Sequence, residues 1–243
     1  MTYCVGLKID RGLVFMSDTR TNAGMDSIST FKKMHVWEEP GERVIALMAA
    51  GNLATTQAVV SRLDERGKAA ADRHPKLLEA PSMFQTACIV GDTVKEVIAK
   101  ASPEGERADT DFSASFILGG QIKGSEPRLF MIYPEGNFIE STDDTPFFQI
   151  GETKYGKPII IRAYERSMSL AETVKLLLVS FDSTLKSNLS VGLPLDLLFL
   201  EKDAFQVGLK KRIGHDDPYY RTISEGWSSA LKTAFASLPD FPG

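Results

Sequence analysis

The first residue whose side chain could carry out catalytic chemistry is Thr2, directly after the initiator methionine. A threonine is small enough to permit removal of Met1, which would leave a hydroxyl and a free α-amine on one residue. An N-terminal amine is one of the few compact bases that can activate a weak hydroxyl nucleophile for acyl transfer. Threonine also simply suits a β-strand, so this chemical interpretation depends on what other residues lie nearby.

Three other positions could be brought to Thr2 by the elements around them. Asp18 ends a predicted strand in the stretch SDTR, close to where the first strand begins. One ammonium group of the pair Lys32 and Lys33 reaches the same place if the third strand lies beside this hairpin. Gly51 precedes a predicted helix, whose N-terminal N–H groups could hold an oxyanion. Each residue also has an ordinary structural role open to it, in a turn, on a solvated strand or before a helix.

The hydrophobic pattern predicts an α+β protein. Alternating apolar residues predict strands at 3–9, 13–17, 31–37, 43–49, 112–118, 128–133, 137–140, 147–150, 195–200 and 205–213. Three- and four-residue spacing predicts helices at 52–67, 81–101, 157–164, 169–185 and 222–237. Two packed sheets with helical layers outside would bury every amphipathic face. No linker or repeat interrupts the chain, so we expect residues 1–243 to form a single domain.

Composition limits the functions that the chain could have. The formal net charge of −4 gives no basic surface for nucleic acid, and no apolar run approaches the roughly 20 residues of a membrane helix. The three histidines are too dispersed to indicate a metal site, and we expect no cofactor. Two cysteines make no disulfide framework, and the first residues do not resemble a signal peptide, so we expect a cytoplasmic protein.

Several motifs, in order along the chain, resemble the β-type subunits of proteasomes, a threonine-peptidase family within the N-terminal nucleophile hydrolases. The resemblance is close over about the first 60 residues, in GLVFMSDTRTNAG, FKKM and GNLATTQAVV. It continues more weakly through FSASFILGG, PRLFMIYPEGNFIE and FFQIGETKYGKP. The start MTYCVGL and the long C-terminal part look most like the bacterial branch called Anbu, the ancestral beta subunit.

The resemblance implies a four-layer αββα sandwich and a set of site residues. It places the nucleophile at Thr2, the acidic partner at Asp18, the lysine at Lys33 and the oxyanion-hole glycine at Gly51. Ser190, in KSNLSVG, matches a serine that the family places near the active site. The α-amine of the threonine would act as general base, with the lysine lowering nearby pKa values and the aspartate orienting it.

Two positions depart from the family pattern. Ser187 stands where the family usually has an aspartate, and Glu152 replaces a serine that usually follows the glycine at 151. Both positions lie near the terminal amine in the family, so these departures bear on rate and substrate range.

Three functions remain open from the sequence. The first is a threonine endopeptidase acting on peptides or unfolded proteins within a self-assembled ring or helical stack. The second is an amidase or isopeptidase for a small amide. The third is an assembly-forming scaffold with little or no turnover, which is favoured if Met1 stays attached. No feature of the sequence identifies an ATPase partner.

Overall fold

The computed structural model describes residues 2–22, 28–68, 74–101 and 112–242, so Met1 lies outside the described residues. The strands are β1 Tyr3–Ile9, β2 Gly12–Asp18, β3 Arg20–Asn22, β4 Ile28–Thr30, β5 Met34–Glu39, β6 Arg43–Gly51, β7 Ala114–Ile122, β8 Arg128–Ile132, β9 Phe138–Glu140, β10 Phe147–Gly151, β11 Leu195–Glu201 and β12 Leu209–Ile213. The helices are α1 Leu53–Lys68, α2 Met83–Ala101, α3 Lys157–Ala163, α4 Leu170–Ser187 and α5 Pro218–Ala236, with a short 3-10 turn at Leu77–Glu79.

Ten of these strands form two antiparallel five-stranded sheets. The first sheet has the order β10-β1-β2-β11-β12, and the second has the order β5-β6-β7-β8-β9. Within the described part of the chain, the remaining strands, β3 and β4, pair only with each other. Strand β1 therefore lies inside the first sheet, with β2 on one side and β10 on the other, and the start of the chain is held from both sides.

Three separate apolar clusters hold the sheets and helices together in stacked layers. Successive side chains of a strand point to opposite faces of the sheet. In β1, Tyr3 and Val5 pack with α3, α4 and α5, whereas Cys4 lies between the two sheets. In β6, Ile45 packs with α1 and α2, whereas Ala46 lies between the sheets. The result is the order helices, sheet, sheet, helices, which confirms the α+β fold and the predicted four-layer sandwich.

Several predicted boundaries were wrong. The β3–β4 hairpin was not predicted, and strand β5 begins at Met34 rather than at residue 31. The strand predicted at 205–213 begins only at Leu209, because the backbone of Phe205 has a φ of +50°, outside the extended region. Helix α5 begins at Pro218 rather than at residue 222, because the Asp217 side chain caps it and proline fits the first helical position.

None of the helices in the described ranges combines the length and the apolar character that crossing a bilayer requires.

Candidate active site

A cavity of about 890 Å³ lies where the start of the chain meets the end of β6. Thr2, Lys33 and Gly51 all line this cavity, together with Gly151 at the end of β10. Asp18 does not line it, and its fully buried side chain lies behind it against Lys33. Three of the predicted site residues thus share one cavity, and a fourth contacts one of them.

The backbone of Thr2 is held by the end of β10. The N–H of Glu152 donates to the Thr2 carbonyl oxygen at 2.6 Å. Gly151 has a φ of +84°, and a Cβ at this position would overlap the Thr2 carbonyl group. Only glycine combines this backbone conformation with such a close approach. The position of Thr2 is therefore fixed through its main chain, and its side chain is left half-buried at the cavity wall.

Asp18 and Lys33 form a buried ion pair. The Lys33 Nζ donates to Asp18 Oδ1 at 2.7 Å and to the carbonyl oxygen of Arg20 at 2.6 Å. The same Asp18 oxygen accepts, at 3.0 Å, the N–H of Tyr3, the residue that follows Thr2 in the chain. The lysine side chain is only 6% exposed, whereas Lys32 is exposed. Of the two adjacent lysines, Lys33 is therefore the one that the fold directs to Asp18.

Burial and charge act in opposite directions on the Asp18 carboxyl. Its burial raises the pKa above the ordinary value, because water no longer solvates the charged form. The Lys33 ammonium and the N–H groups of Tyr3 and Gly192 limit this rise because they stabilise the carboxylate. The ion pair with Lys33 thus offsets the desolvation of Asp18.

Cys4 is a nearby thiol, and the structure argues against its use as a nucleophile. Burial raises the pKa of Cys4 well above its ordinary value, so little thiolate forms near neutral pH. Its Sγ lies 3.8 Å from the carbonyl oxygen of Ala49, between the two sheets. Cys4 is a packing residue, as its apolar neighbours in the sequence indicate.

Gly51 and the N-terminus of α1 form one wall of the cavity. Gly51 has a φ of +116°, and a Cβ there would overlap the carbonyl oxygen of Ser113 on the adjacent chain segment. Asn52 then caps α1, since its Oδ1 accepts the N–H of Thr55 at 3.0 Å. A helix N-terminus carries partial positive charge, so this wall favours a negatively charged oxygen.

The loop after α4 lies against Asp18. The N–H of Gly192 donates to Asp18 Oδ2 at 3.4 Å, and Arg20 Nη1 donates to the carbonyl oxygen of Leu189 at 2.9 Å. Ser190 is half-buried within this loop but does not line the cavity. Ser187 is exposed, and its hydroxyl donates to the carbonyl oxygen of Ser183 in its own helix. The loop thus contacts Asp18 through Gly192, two residues after Ser190, whereas the Ser187 hydroxyl is bound within α4.

Glu152 and Asn188 are the residues whose roles sequence reasoning missed. The Glu152 side chain is only 6% exposed, and its Oε2 accepts the side-chain amide of Asn188 at 2.9 Å. Asn188 Oδ1 in turn accepts the N–H of Ser190 at 2.9 Å. The replacement of serine by Glu152 was visible in the sequence, but its burial and its contact across 36 residues were not.

The cavity lining includes further polar side chains. His35 lines the cavity, and burial together with the Lys32 cation lowers the pKa of His35 to about 4, so its ring is neutral near neutral pH. Asp64 also lines the cavity, and its Oδ1 accepts the indole N–H of Trp37 at 2.6 Å. Among the residues that the structure describes, no cluster of three or more histidine, cysteine or acidic side chains could hold a metal ion.

Comparisons with known proteins found a matching family model and similar solved structures. The family model described as Proteasome subunit matches residues 2–193. The chain is similar to an Anbu (Gly-1) mutant from Hyphomicrobium sp. strain MC1, with 53% identity, a TM-score of 0.92 and full coverage of both chains. Anbu from Yersinia bercovieri is 49% identical, with a TM-score of 0.92 and full coverage of both chains. A helical assembly of the Anbu complex from Pseudomonas aeruginosa is 45% identical, with a TM-score of 0.92 over 100% of this chain and 99% of that one. No curated protein matches the chain.

Proposed function

This chain belongs to the proteasome subunit family, and on that premise we propose that it is an N-terminal threonine hydrolase that cleaves peptide bonds with the Thr2 hydroxyl. The observation that carries the proposal is the grouping of Thr2, Lys33 and Gly51 around one cavity, with Asp18 paired to Lys33 behind it. Hydroxyl, cation and helix N-terminus are the groups that amide hydrolysis by a terminal threonine requires.

The base in this mechanism is the α-amine that removal of Met1 leaves on Thr2. A free α-amine has a pKa of about 7.7 to 8.0, so only a minority is neutral at neutral pH. A lysine cation about 4 Å from the amine would contribute on the order of 4 kcal/mol of repulsion to the ammonium form at an effective dielectric constant of ~20. Asp18 offsets part of this repulsion, and the remainder favours the neutral amine that a general base requires.

The reaction then runs in two stages. The amine takes the proton of Thr2 Oγ while Oγ bonds to the substrate carbonyl carbon, and the Gly51 end of α1 stabilises the oxyanion. The scissile C–N bond breaks as the ammonium returns the proton to the leaving amine, which leaves an ester on Thr2. Water, deprotonated by the same amine, hydrolyses the ester and restores the site.

We propose further that the chain acts as an assembly in the cytoplasm on peptides or unfolded proteins. Self-association is supported by the similar Anbu protein from Pseudomonas aeruginosa, which is described as a helical assembly. The free thiols of Cys4 and Cys88 suit a reducing compartment.

A peptide epoxyketone tests the nucleophile and the base together. We expect this reagent to form a covalent adduct on Thr2, because its two electrophilic carbons can be captured by one residue's hydroxyl and free α-amine. Intact mass gives the stoichiometry and shows whether Met1 has been removed, and peptide mapping gives the labelled residue. Labelling should be sharply slower in Lys33→Ala, whose amine is more protonated.

The matched control is a form of the chain that keeps Met1, in which the amine of Thr2 is part of a peptide bond. That form should not be labelled. An adduct mapped to Cys4 or Cys88, or an equal labelling rate in the Met1-retaining form, would show that Thr2 is not the catalytic centre.

The assembly is tested by light scattering at micromolar concentration. We expect a mass that is a multiple of the single-chain mass of 26.7 kDa, with contacts through the helical layers. A monodisperse monomer would contradict the assembly and favour an amidase for small amides.

A further inference from the structure

Glu152 is a buried carboxylate beside Thr2, and no Lys or Arg side chain in the described part of the chain pairs with it. Its side chain is 6% exposed, and its Oε2 accepts a hydrogen bond from the neutral amide of Asn188. Burying a carboxylate is costly unless a cation compensates its charge, so a positive group near Glu152 would stabilise the site.

The terminal amine of Thr2 is positioned to supply that positive charge. The backbone N–H of Glu152 donates to the Thr2 carbonyl oxygen at 2.6 Å, so the glutamate side chain starts next to the Thr2 main chain. The contact between Gly151 and the Thr2 carbonyl group keeps the two segments together. Removal of Met1 creates a new ionisable amine on this same residue.

We propose that Glu152 is the counter-charge of the Thr2 α-amine and that it stabilises the ammonium formed when the amine takes the Oγ proton. This inference rests on the proposed function. In this step the proton moves from Oγ to the nitrogen of the same residue, Thr2, and the Glu152 side chain takes no part in the transfer; the ammonium later passes the proton to the leaving amine. A carboxylate that stabilises the protonated base is the role of the aspartate in serine hydrolase triads. Glu152 is therefore a positioning residue, since it acts through the amine.

Asn188 orients this carboxylate and connects it to the rest of the site. Its amide donates to Glu152, and its Oδ1 holds the N–H of Ser190. The same loop reaches Asp18 through the N–H of Gly192. Glu152 is therefore part of a hydrogen-bonded polar network around Thr2, and a change in its charge affects the other groups of that network.

Glu152 and Lys33 act on the amine with opposite sign. A carboxylate favours the ammonium form and raises the pKa of an amine, whereas a second cation favours the neutral form and lowers it. Among the described residues, the charged or titratable groups around the site are Cys4, Asp18, Arg20, Lys32, Lys33, His35 and Asp64, and the exposed Lys154 lies two residues after Glu152 in the chain. The two opposing charges together set the strength of the base.

The test measures the amine itself rather than activity. The full chain is produced as a fusion cleaved directly before Thr2, and the reactivity of the α-amine towards acetic anhydride is followed over the range in which α-amines titrate, by mass spectrometry of the N-terminal peptide. In Glu152→Gln we expect the midpoint to fall by about one pH unit or more, a roughly tenfold rise in the neutral fraction on the acidic side. In Lys33→Ala we expect the midpoint to rise.

The matched control is Glu201→Gln, which removes an exposed carboxylate on β11 that pairs with Arg11. Its midpoint should equal that of the wild type. The amide oxygen introduced by Glu152→Gln can still accept the hydrogen bond of Asn188, so the circular dichroism spectrum should not change. Glu152→Asp keeps a carboxylate on a shorter side chain, so its midpoint should lie between those of Glu152→Gln and the wild type.

Two readouts separate this inference from the proposed function. If the midpoint does not differ between wild type and Glu152→Gln, Glu152 is not the counter-charge, even if Thr2 proves to be the nucleophile. If the midpoint shifts but no peptide is hydrolysed, the charge pairing holds and the peptidase assignment fails. With an active enzyme, at a pH above the wild-type midpoint, Glu152→Gln should lower kcat by up to about tenfold and leave KM nearly unchanged, because the amine is then neutral before the reaction in both forms and the ammonium forms only during it.

Discussion

Thr2→Ala is expected to remove acyl-transfer activity, by about 10³-fold or more, while fold and assembly persist. Loss of a nucleophile leaves only the residual catalysis that substrate binding and oxyanion stabilisation provide. The structure separates the two effects, because Thr2 is held through its main chain by Glu152 and Gly151 rather than by its side chain. Hydrolysis of a peptide panel by purified wild type and variant measures the loss.

Two further substitutions make this experiment specific. Thr2→Ser keeps a hydroxyl on the terminal residue and should retain part of the activity. Thr222→Ala removes an exposed threonine hydroxyl on α5, which donates to the carbonyl oxygen of Pro218, and should not change the rate. Equal turnover by wild type and Thr2→Ala would contradict the assignment of Thr2 as nucleophile.

The fold was predictable where a single strong pattern determined an element. Successive residues of strands β1 and β2 face the helices and the second sheet in turn. Most residues on both faces are apolar, because both faces of these strands are buried. Helix α2 extends over Met83–Ala101 because its apolar residues recur at helical spacing. Local sequence suffices for such elements, since burial and periodicity point to the same structure.

Elements that depend on distant contacts were less predictable. The pairing of β3 with β4 is short and makes no ladder with either large sheet, so it leaves almost no periodic signal. The residues just before β5 were predicted as strand, but there the N–H of Phe31 donates to the carbonyl oxygen of Thr19 and the carbonyl of Lys33 accepts from Ala49. These bonds depend on how the segments pack, which the local sequence does not reveal.

The candidate site shows the same division. Asp18 ends β2, and the predicted β1–β2 hairpin was enough to bring it towards Thr2, whereas Gly51 ends β6 of the second sheet and reaches the same cavity through the packing of the two sheets. Glu152 reaches Thr2 through the pairing of β10 with β1, and Asn188, at the end of α4, contacts Glu152. Sequence reasoning marked Glu152 as a departure from a family pattern, and only the structure shows it to be buried beside Thr2.

Lys33→Ala is expected to cost both stability and activity, whereas Lys32→Ala should cost little stability and far less activity. Removing Lys33 leaves the fully buried Asp18 carboxylate without its cation, and breaking a buried pair in this way costs about 3–5 kcal/mol in the free energy of unfolding. Lys32 is exposed, and substitutions at such positions usually stay within about 0.5 kcal/mol. Urea denaturation at one fixed protein concentration, together with the rate of peptide hydrolysis, measures both effects.

A double variant separates the structural effect of Lys33 from its chemical effect. Asp18→Asn combined with Lys33→Met leaves no unpaired charge, and the amide at position 18 can still accept the N–H of Tyr3, so most of the lost stability should return. Activity should not return, because no cation then lowers the pKa of the Thr2 amine. A double variant that hydrolyses peptides as fast as the wild type would show that Lys33 serves only to neutralise Asp18. If Lys32→Ala proves more damaging than Lys33→Ala, the wrong lysine has been assigned to the site.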